Sequence, residues 1–356
     1  MLTAYLHLAA RFSGGHPQVD TGSLARWWNR RLSGCMIIHP NQPVESWFPL
    51  DPSEPFTRRE ARAAGLTDRN LREMIDLGLL RRPLRGVFLD HRQPDDLGTR
   101  VKVLAKVVPP GAFVADRTAG WLHGAEMILA PNDHLAVPKV SVFHLPGADR
   151  TRLALADSGE RRMRPDDLCE VGGILVTTPL RTALDLGRLL RRQQALAGLD
   201  SMLRRGGFSH DMLLASVERF AKQRGVRQLR ELAPLADGQS ASPGESGLRL
   251  HWLDAGLPRP TLQIPHIEDG VTLFFLDMGL EELRFAAEYD GVAWHSSSED
   301  VEHDRARRDY LRTNFGWRID EFRKEHVYGR DQNADWILRD AIVEARRTFD
   351  HRIRFL

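Results

Sequence analysis

Apolar and polar positions alternate along this chain with two periods, and the changes between them mark out its elements. Leu71, Met74 and Ile75 fall at helical spacing inside "DRNLREMIDLG", with Arg69, Arg72 and Asp76 turned away from that stripe. Thr67 precedes this helix as its N-cap and Gly78 ends it. An earlier helix, "RREARAAG", runs from the N-cap Thr57 to Gly65. The stretch "LLRRPLRGVFLD" follows, two short apolar runs around Pro83 and Gly86 that read as a β-hairpin. Farther on, "TRVKVLAKVV" and "DRTAGWLHG" read as helices, and "HLAVPKVSVFHLP" and "CEVGGILVTT" as strands. "TPLRTALDLGRLL" is a helix with Thr178 as N-cap and Pro179 at its first position. Two more helical runs reach about residue 235.

Between 236 and 246 the chain reads "ADGQSASPGES", a Gly/Ser/Pro stretch with the composition of a linker. After it a helix, "ESGLRLHWLDAG", leads to strands "RPTLQIPHI", "TLFFLDMG" and "LRFAAEYDG". A charged helix "EDVEHDRARRDYLRTNFG", a strand "WRIDEFRK" and a last helix "ADWILRDAIVEARRTF" complete the pattern. The expected fold is multidomain α+β and α/β. It has a loose leader (1–50), a winged helix-turn-helix (51–92), a mixed α/β middle domain (93–235), a linker (236–243) and a C-terminal α/β domain with a central mixed sheet (244–356).

Composition narrows the class. The chain has 356 residues, 42% hydrophobic and 28% charged, as in globular proteins. No apolar run approaches the roughly 18 residues that span a bilayer, and the N-terminal stretch lacks a basic lead, so a cytoplasmic location and no membrane partner are expected. Two cysteines, Cys35 and Cys169, build neither a disulfide framework nor a thiolate zinc site. His123, His134 and His144 lack metal-ligand spacing. The net charge of +2 is near neutral, so distribution matters more than total. Arginine gathers on the second helix and the hairpin, at Arg69, Arg72, Arg81, Arg82 and Arg85, with Arg58 on the helix before. Helix, turn, helix and basic hairpin is the arrangement in which the second helix enters the major groove of double-stranded DNA and the hairpin touches the backbone.

The stretch "RFAAEYDGVAWH" carries the second chemical signal. Alternation along a strand puts Ala286, Glu288 and Asp290 on one side. Carboxylates sharing a face repel unless something positive sits beside them, and a hard cation with oxygen ligands meets that need. Asp277 ends the preceding strand, and a short connection brings it toward Glu288. Glu245, on the helix before, is a further carboxylate. Mg²⁺ or Mn²⁺ held by Asp277, Glu288 and Asp290 would polarise a phosphodiester and activate water. His295 would relay a proton, and Arg305, Arg307 and Arg308 would bind flanking phosphates.

Two resemblances rest on these residues. The series Asp277, Glu288-x-Asp290-Gly291, His295, Asp304, Arg308 and Gly316-Trp317 resembles the very-short-patch-repair-type endonucleases, in the form called the DUF559 domain, of the restriction-endonuclease-like PD-(D/E)XK superfamily. That resemblance implies a Mg²⁺-dependent DNA endonuclease over 244–325. Asp290 stands where the superfamily has a lysine, which leaves Arg318 or Lys324 as candidates to hold transition-state charge. The stretches "FTRREARAAGLTDRNLREMIDLGLLRRPLRGVFL", "ADRTAGWLHG" and "VTTPLRTALDLGR" resemble the AbiEi-type antitoxins of bacteria. That resemblance implies operator binding, autoregulation of a type IV toxin–antitoxin operon and a cognate toxin. The chain thus reads as a DNA-binding endonuclease or, alternatively, as a non-catalytic antitoxin and autoregulator.

Overall fold

The computed structural model describes residues 47–126, 139–147, 156–291, 298–330 and 332–353. They fall into two compact units, one up to Arg82 with Gly86–Gln93, the other Pro83–Arg85 with Pro94 onward. The sequence-expected leader lies almost wholly outside the described residues.

In the first unit, β1 (Phe56–Thr57) runs straight into α1 (Arg58–Ala63), and Thr57 ends the one and caps the other. The Thr57 hydroxyl accepts from the Glu60 amide, while Glu60 accepts from the Thr57 amide at 2.7 Å. Thr67 and Asn70 repeat this reciprocal cap at α2 (Asp68–Asp76). Gly65 and Gly78, at φ of +86° and +71°, carry the left-handed turns that stop the two helices. Then come β2 (Leu80–Leu84) and β3 (Val87–Asp90), in a three-stranded sheet ordered β1-β3-β2. Ala61, Leu66, Leu71 and Met74 close over Phe56 and Phe88, whose rings stack at 5.7 Å across the β1–β3 pair. Thr67→Ala removes a cap from the helix that carries Leu71 and Met74. It is expected to lower stability by about 1 kcal/mol in a urea titration.

The second unit opens with α3 (Leu97–Ala105), β4 (Ala112–Val114), α4 (Asp116–Leu122), β5 (Val140–His144) and β6 (Ala156–Glu160). A hairpin of β7 (Leu168–Val171) and β8 (Ile174–Thr177) follows, in a sheet ordered β6-β5-β4-β8-β7. Next come α5 (Pro179–Leu189), α6 (Arg192–Arg205), α7 (His210–Ser216) and α8 (Val226–Leu232), around a core that includes Leu184, Leu196, Leu199, Met202 and Leu229. Gly187 and Gly198 let α5 and α6 approach closely. A Cβ on Gly187 would lie 3.1 Å from Leu199 of α6 and 2.7 Å from Leu229 of α8, and one on Gly198 would lie 3.2 Å from Leu186. Arg181, buried, pairs with Asp167 at 2.8 Å and Asp185 at 2.9 Å, fastening α5 to the segment leading into β7.

The Gly/Ser/Pro stretch after residue 235 is not exposed chain. Ala236 and Ser240 are buried, and the Asp237 amide donates to Asp200 at 2.8 Å. Helix α9 (Pro243–Asp254) then packs on α6, with Leu250 in the helical core and Leu248 and Trp252 in the next one. Arg249 of α9 is 2% exposed and donates to Asp200, itself 0% exposed, at 2.6 Å. The four-stranded C-terminal sheet comprises β9 (Thr261–Glu268), β10 (Val271–Leu280), β11 (Phe285–Tyr289) and β12 (Arg318–Phe322), ordered β12-β11-β10-β9. The β9–β10 turn has Asp269 and Gly270 both at positive φ, as a tight hairpin turn requires. The parallel pair β11–β12 needs a crossover, and α10 (Ser298–Phe315) supplies it. One face of this sheet packs on α9, α11 (Lys324–Tyr328) and α12 (Ala334–Ile353) through Trp252, Phe285, Val327 and Leu338. The other packs on α10 through Ile264, Ala286, Leu311 and Ile319. No described helix is long and apolar enough to cross a membrane.

Candidate functional sites

Glu288 lies one residue before the end of β11, on the Ala286 side of the strand, and is buried. Burial pushes its carboxyl up, against the pull of Arg307 and Arg308. The Arg307 Nη2 donates to both Glu288 oxygens at 3.0 Å, and its Nη1 donates to the Phe275 carbonyl at 3.3 Å. Arg308 lies 3.6 Å from the same carboxylate and 3.1 Å from Glu321, which faces Glu288 across the β11–β12 pair.

Asp277 is carried by β10, and its Oδ2 accepts from the Tyr289 amide at 2.8 Å, joining it to the end of β11. Burial, then the charge of Glu245, push its carboxyl up to about 7, with a smaller contribution from Glu288. Glu245 is buried in the first turn of α9 and is itself raised by burial. Its Oε2 accepts from the Ala241 amide and from Gln263 Nε2, each at 2.8 Å. Asp277 therefore lies within electrostatic reach of both Glu245 and Glu288.

Asp290 follows the last residue of β11; its amide donates to the Phe322 carbonyl at 2.7 Å, and its carboxylate pairs with Arg323 at 3.3 Å. His295 lies outside the described residues. Arg305 points away, 82% exposed, with Asp309 as its partner. Arg318 starts β12, opposite Phe285 and three residues from Glu321, and is held by Asp320 and Glu344. Three residues of strand are roughly 10 Å, which separates Arg318 from Glu288. Lys324 opens α11. Arg307 and Arg308 are the cations beside Glu288, and the inward position of Arg307 has one sequence signal. Fully buried Leu311 lies four residues on, along the same helix face.

As arranged, these carboxylates do not form a ready cation site. Both Glu288 oxygens and one Glu245 oxygen are already bonded, and no three His, Cys, Asp or Glu side chains among the described residues are grouped to hold a metal.

The six arginines picked from the sequence of the two helices and the hairpin separate by exposure. Arg58, Arg69, Arg72 and Arg85 are exposed. Arg81 donates to the Gln93 carbonyl at 3.0 Å, and Arg82 lies over the Phe88 ring, so both brace the hairpin as well as charging it. Asp68 is bonded by Arg62 at 2.7 Å, and with Arg58 at 3.3 Å this holds its carboxyl below the usual range. Arg58, Asp68, Leu71, Arg72, Arg82 and Phe88 line a groove of about 190 Å³ between helix and hairpin.

Residues 111–237 match the AbiEi antitoxin C-terminal domain. That span takes in the five-stranded sheet and α5–α8, and it ends at Asp237, whose amide bonds to Asp200. Over 265 residues the chain is 32% identical to the uncharacterized protein MT2308 of Mycobacterium tuberculosis strain CDC 1551, covering 73% of this chain and 93% of that protein. The uncharacterized protein Rv2248 of strain H37Rv matches with the same identity and coverage.

Proposed function

The chain belongs to one family with the Mycobacterium tuberculosis proteins MT2308 and Rv2248, and on that premise we propose that it is an AbiEi-type antitoxin and DNA-binding regulator. The observation that carries the reading is the AbiEi domain at 111–237 placed after a strand–helix–turn–helix–hairpin unit with an arginine-lined outer face. In this reading the first unit is a winged helix-turn-helix. Helix α2 enters the major groove of operator DNA, Arg69 and Arg72 contact it, and Arg85 at the hairpin turn meets the backbone. The partners are double-stranded operator DNA and a cognate toxin, and the outcome is autoregulation of the operon that encodes both.

Arg69→Ala with Arg72→Ala is expected to weaken duplex binding at least about tenfold, at roughly 1 kcal/mol or more per lost contact, and to reduce the salt slope by about two. Both side chains are exposed, so the melting temperature should hold. Fluorescence anisotropy across a salt series reads both quantities. Unchanged affinity in the double variant would remove α2 from the DNA interface.

A second reading is favoured by buried Asp277, which lies within electrostatic reach of both Glu245 and Glu288. In it the sheet is a nuclease-like domain acting on phosphodiesters with Mg²⁺ or Mn²⁺. Nicking of supercoiled plasmid that needs the cation and disappears in Asp277→Asn with Glu288→Gln would support it. Intact plasmid under all conditions would leave the regulator alone.

A further inference from the structure

The groove between α2 and the hairpin has two kinds of wall, and duplex binding alone does not use both. Its floor is apolar: Leu71 and Phe88 are each 2% exposed, and Ile75 is half-buried. Its rim is cationic. Arg58, Arg62 and Arg72 gather on one carboxylate, Asp68, which leaves a surplus of positive charge. Asp68 keeps Arg62 as its closest partner at 2.7 Å, with Arg58 looser at 3.3 Å and about half exposed. Arg72 donates to the Asp68 carbonyl at 3.2 Å, a bond made by Nε and not by the two Nη groups. Arg82 is held over the Phe88 ring. An anion in the groove therefore falls to Arg58 and Arg72. The space, about 190 Å³, equals that of roughly six waters. A phosphate would engage the rim and leave the floor wet. A carboxylate on a ring or branched chain engages both, its oxygens on the guanidinium fork and its carbons on Leu71, Ile75 and Phe88.

Resting on the regulator reading of the first unit, we propose that this groove is an effector site for a small apolar monocarboxylate, which competes there with operator DNA. The acid's carboxylate takes up Arg72, the residue that the regulator reading turns to the major groove. It also cancels part of the charge that draws the phosphate backbone. Occupied groove and bound duplex therefore oppose each other, and by linkage each weakens the other by the same factor. A chain holding the acid releases its operator, so the acid acts as an inducer.

The test uses benzoate and the full chain, followed by saturation-transfer NMR. Saturable binding is expected with a Kd on the order of 1 mM, in keeping with a ligand of this size. Acetate has the charge without the ring, and benzyl alcohol the ring without the charge. Each should bind at least about tenfold more weakly. Arg58→Ala should weaken benzoate about tenfold, by loss of a charged hydrogen bond. Ile75→Gln should weaken it about fivefold, by wetting the floor. Arg58 is exposed, so its variant keeps the fold, and circular dichroism checks both. In fluorescence anisotropy at constant ionic strength, about 10 mM benzoate should raise the Kd for a short random-sequence duplex about tenfold, but only about threefold in Ile75→Gln. No saturable binding, or binding that both variants leave unchanged, overturns the proposal, and the regulator reading then stands on the Arg69 and Arg72 variant alone. Binding that both variants weaken, with duplex affinity unmoved by benzoate, overturns the effector role. A chain that binds no duplex at any salt concentration removes the regulator reading and the effector role with it, whether or not the groove takes benzoate.

Discussion

Asp277→Asn is expected to stabilise the protein at pH 8 by roughly 2–4 kcal/mol, and the gain should shrink toward zero as pH falls to about 4. The sign follows from where the proton sits. The Asp277 carboxyl is raised from 3.8 to about 7 in the folded chain, by burial first and the neighbouring Glu245 second. Between those values the folded state holds a proton that the unfolded state has lost, so stability declines as pH rises through the window. Three units at about 1.4 kcal/mol each set the upper end, and sharing of the proton with Glu245 brings the observable share below it. Asparagine keeps an oxygen for the Tyr289 amide but carries no charge to bury. Carboxylates held low elsewhere, such as Asp90 and Asp167, tilt the whole curve the other way. The measurement is therefore the difference between variant and wild type in urea titrations at a series of pH values. A difference that stays constant from pH 4 to 8 would mean that Asp277 folds with its charge on.

Arg249→Leu should destabilise by about 3–5 kcal/mol at neutral pH, because it strands a buried charge rather than trimming a surface pair. Asp200 has no exposed surface, and burial already pushes its carboxyl up despite the arginine. Without Arg249 the Asp237 amide and nearby hydroxyls would be left to hold it. The loss should ease at acid pH, where Asp200 can take a proton, and adding Asp200→Leu should recover part of it. Since Asp200 belongs to α6 and Arg249 to α9, the pair ties the AbiEi-matching region to the C-terminal sheet. Wild-type melting of residues 94–356 as one transition is the corollary. An Arg249→Leu variant as stable as the wild type would show that the contact is incidental.

What could be read in advance was what local chemistry decides. Thr57, Thr67 and Thr178 announce helix starts because capping uses only the next turn, and all three cap as expected. The four C-terminal strands and the helix between the last two follow from period and turn residues. Strand β4 is too short to show a period, and β6 ("ADSGE") has no apolar alternation, being an exposed edge paired only to β5. The stretch after residue 235 looked like linker because its composition is loose, whereas its burial comes from Asp200, far back in the chain. The Arg323 partner of Asp290 comes from the segment after β12, a pairing that the alternation along β11 does not announce. Arg307 was one of several arginines on a charged helix, and only the phase of that helix against β11 selects it over Arg305.

Strand β9 lies at the rim of the C-terminal sheet, beside exposed Ile267, Leu273 and Phe275. Among the described residues no strand pairs with its outer side, and a rim with such side chains invites a neighbouring molecule to continue the ladder. Pro265 interrupts it, having no amide hydrogen to offer an incoming strand. A strand laid along this rim thus finds one donor fewer than a full ladder supplies.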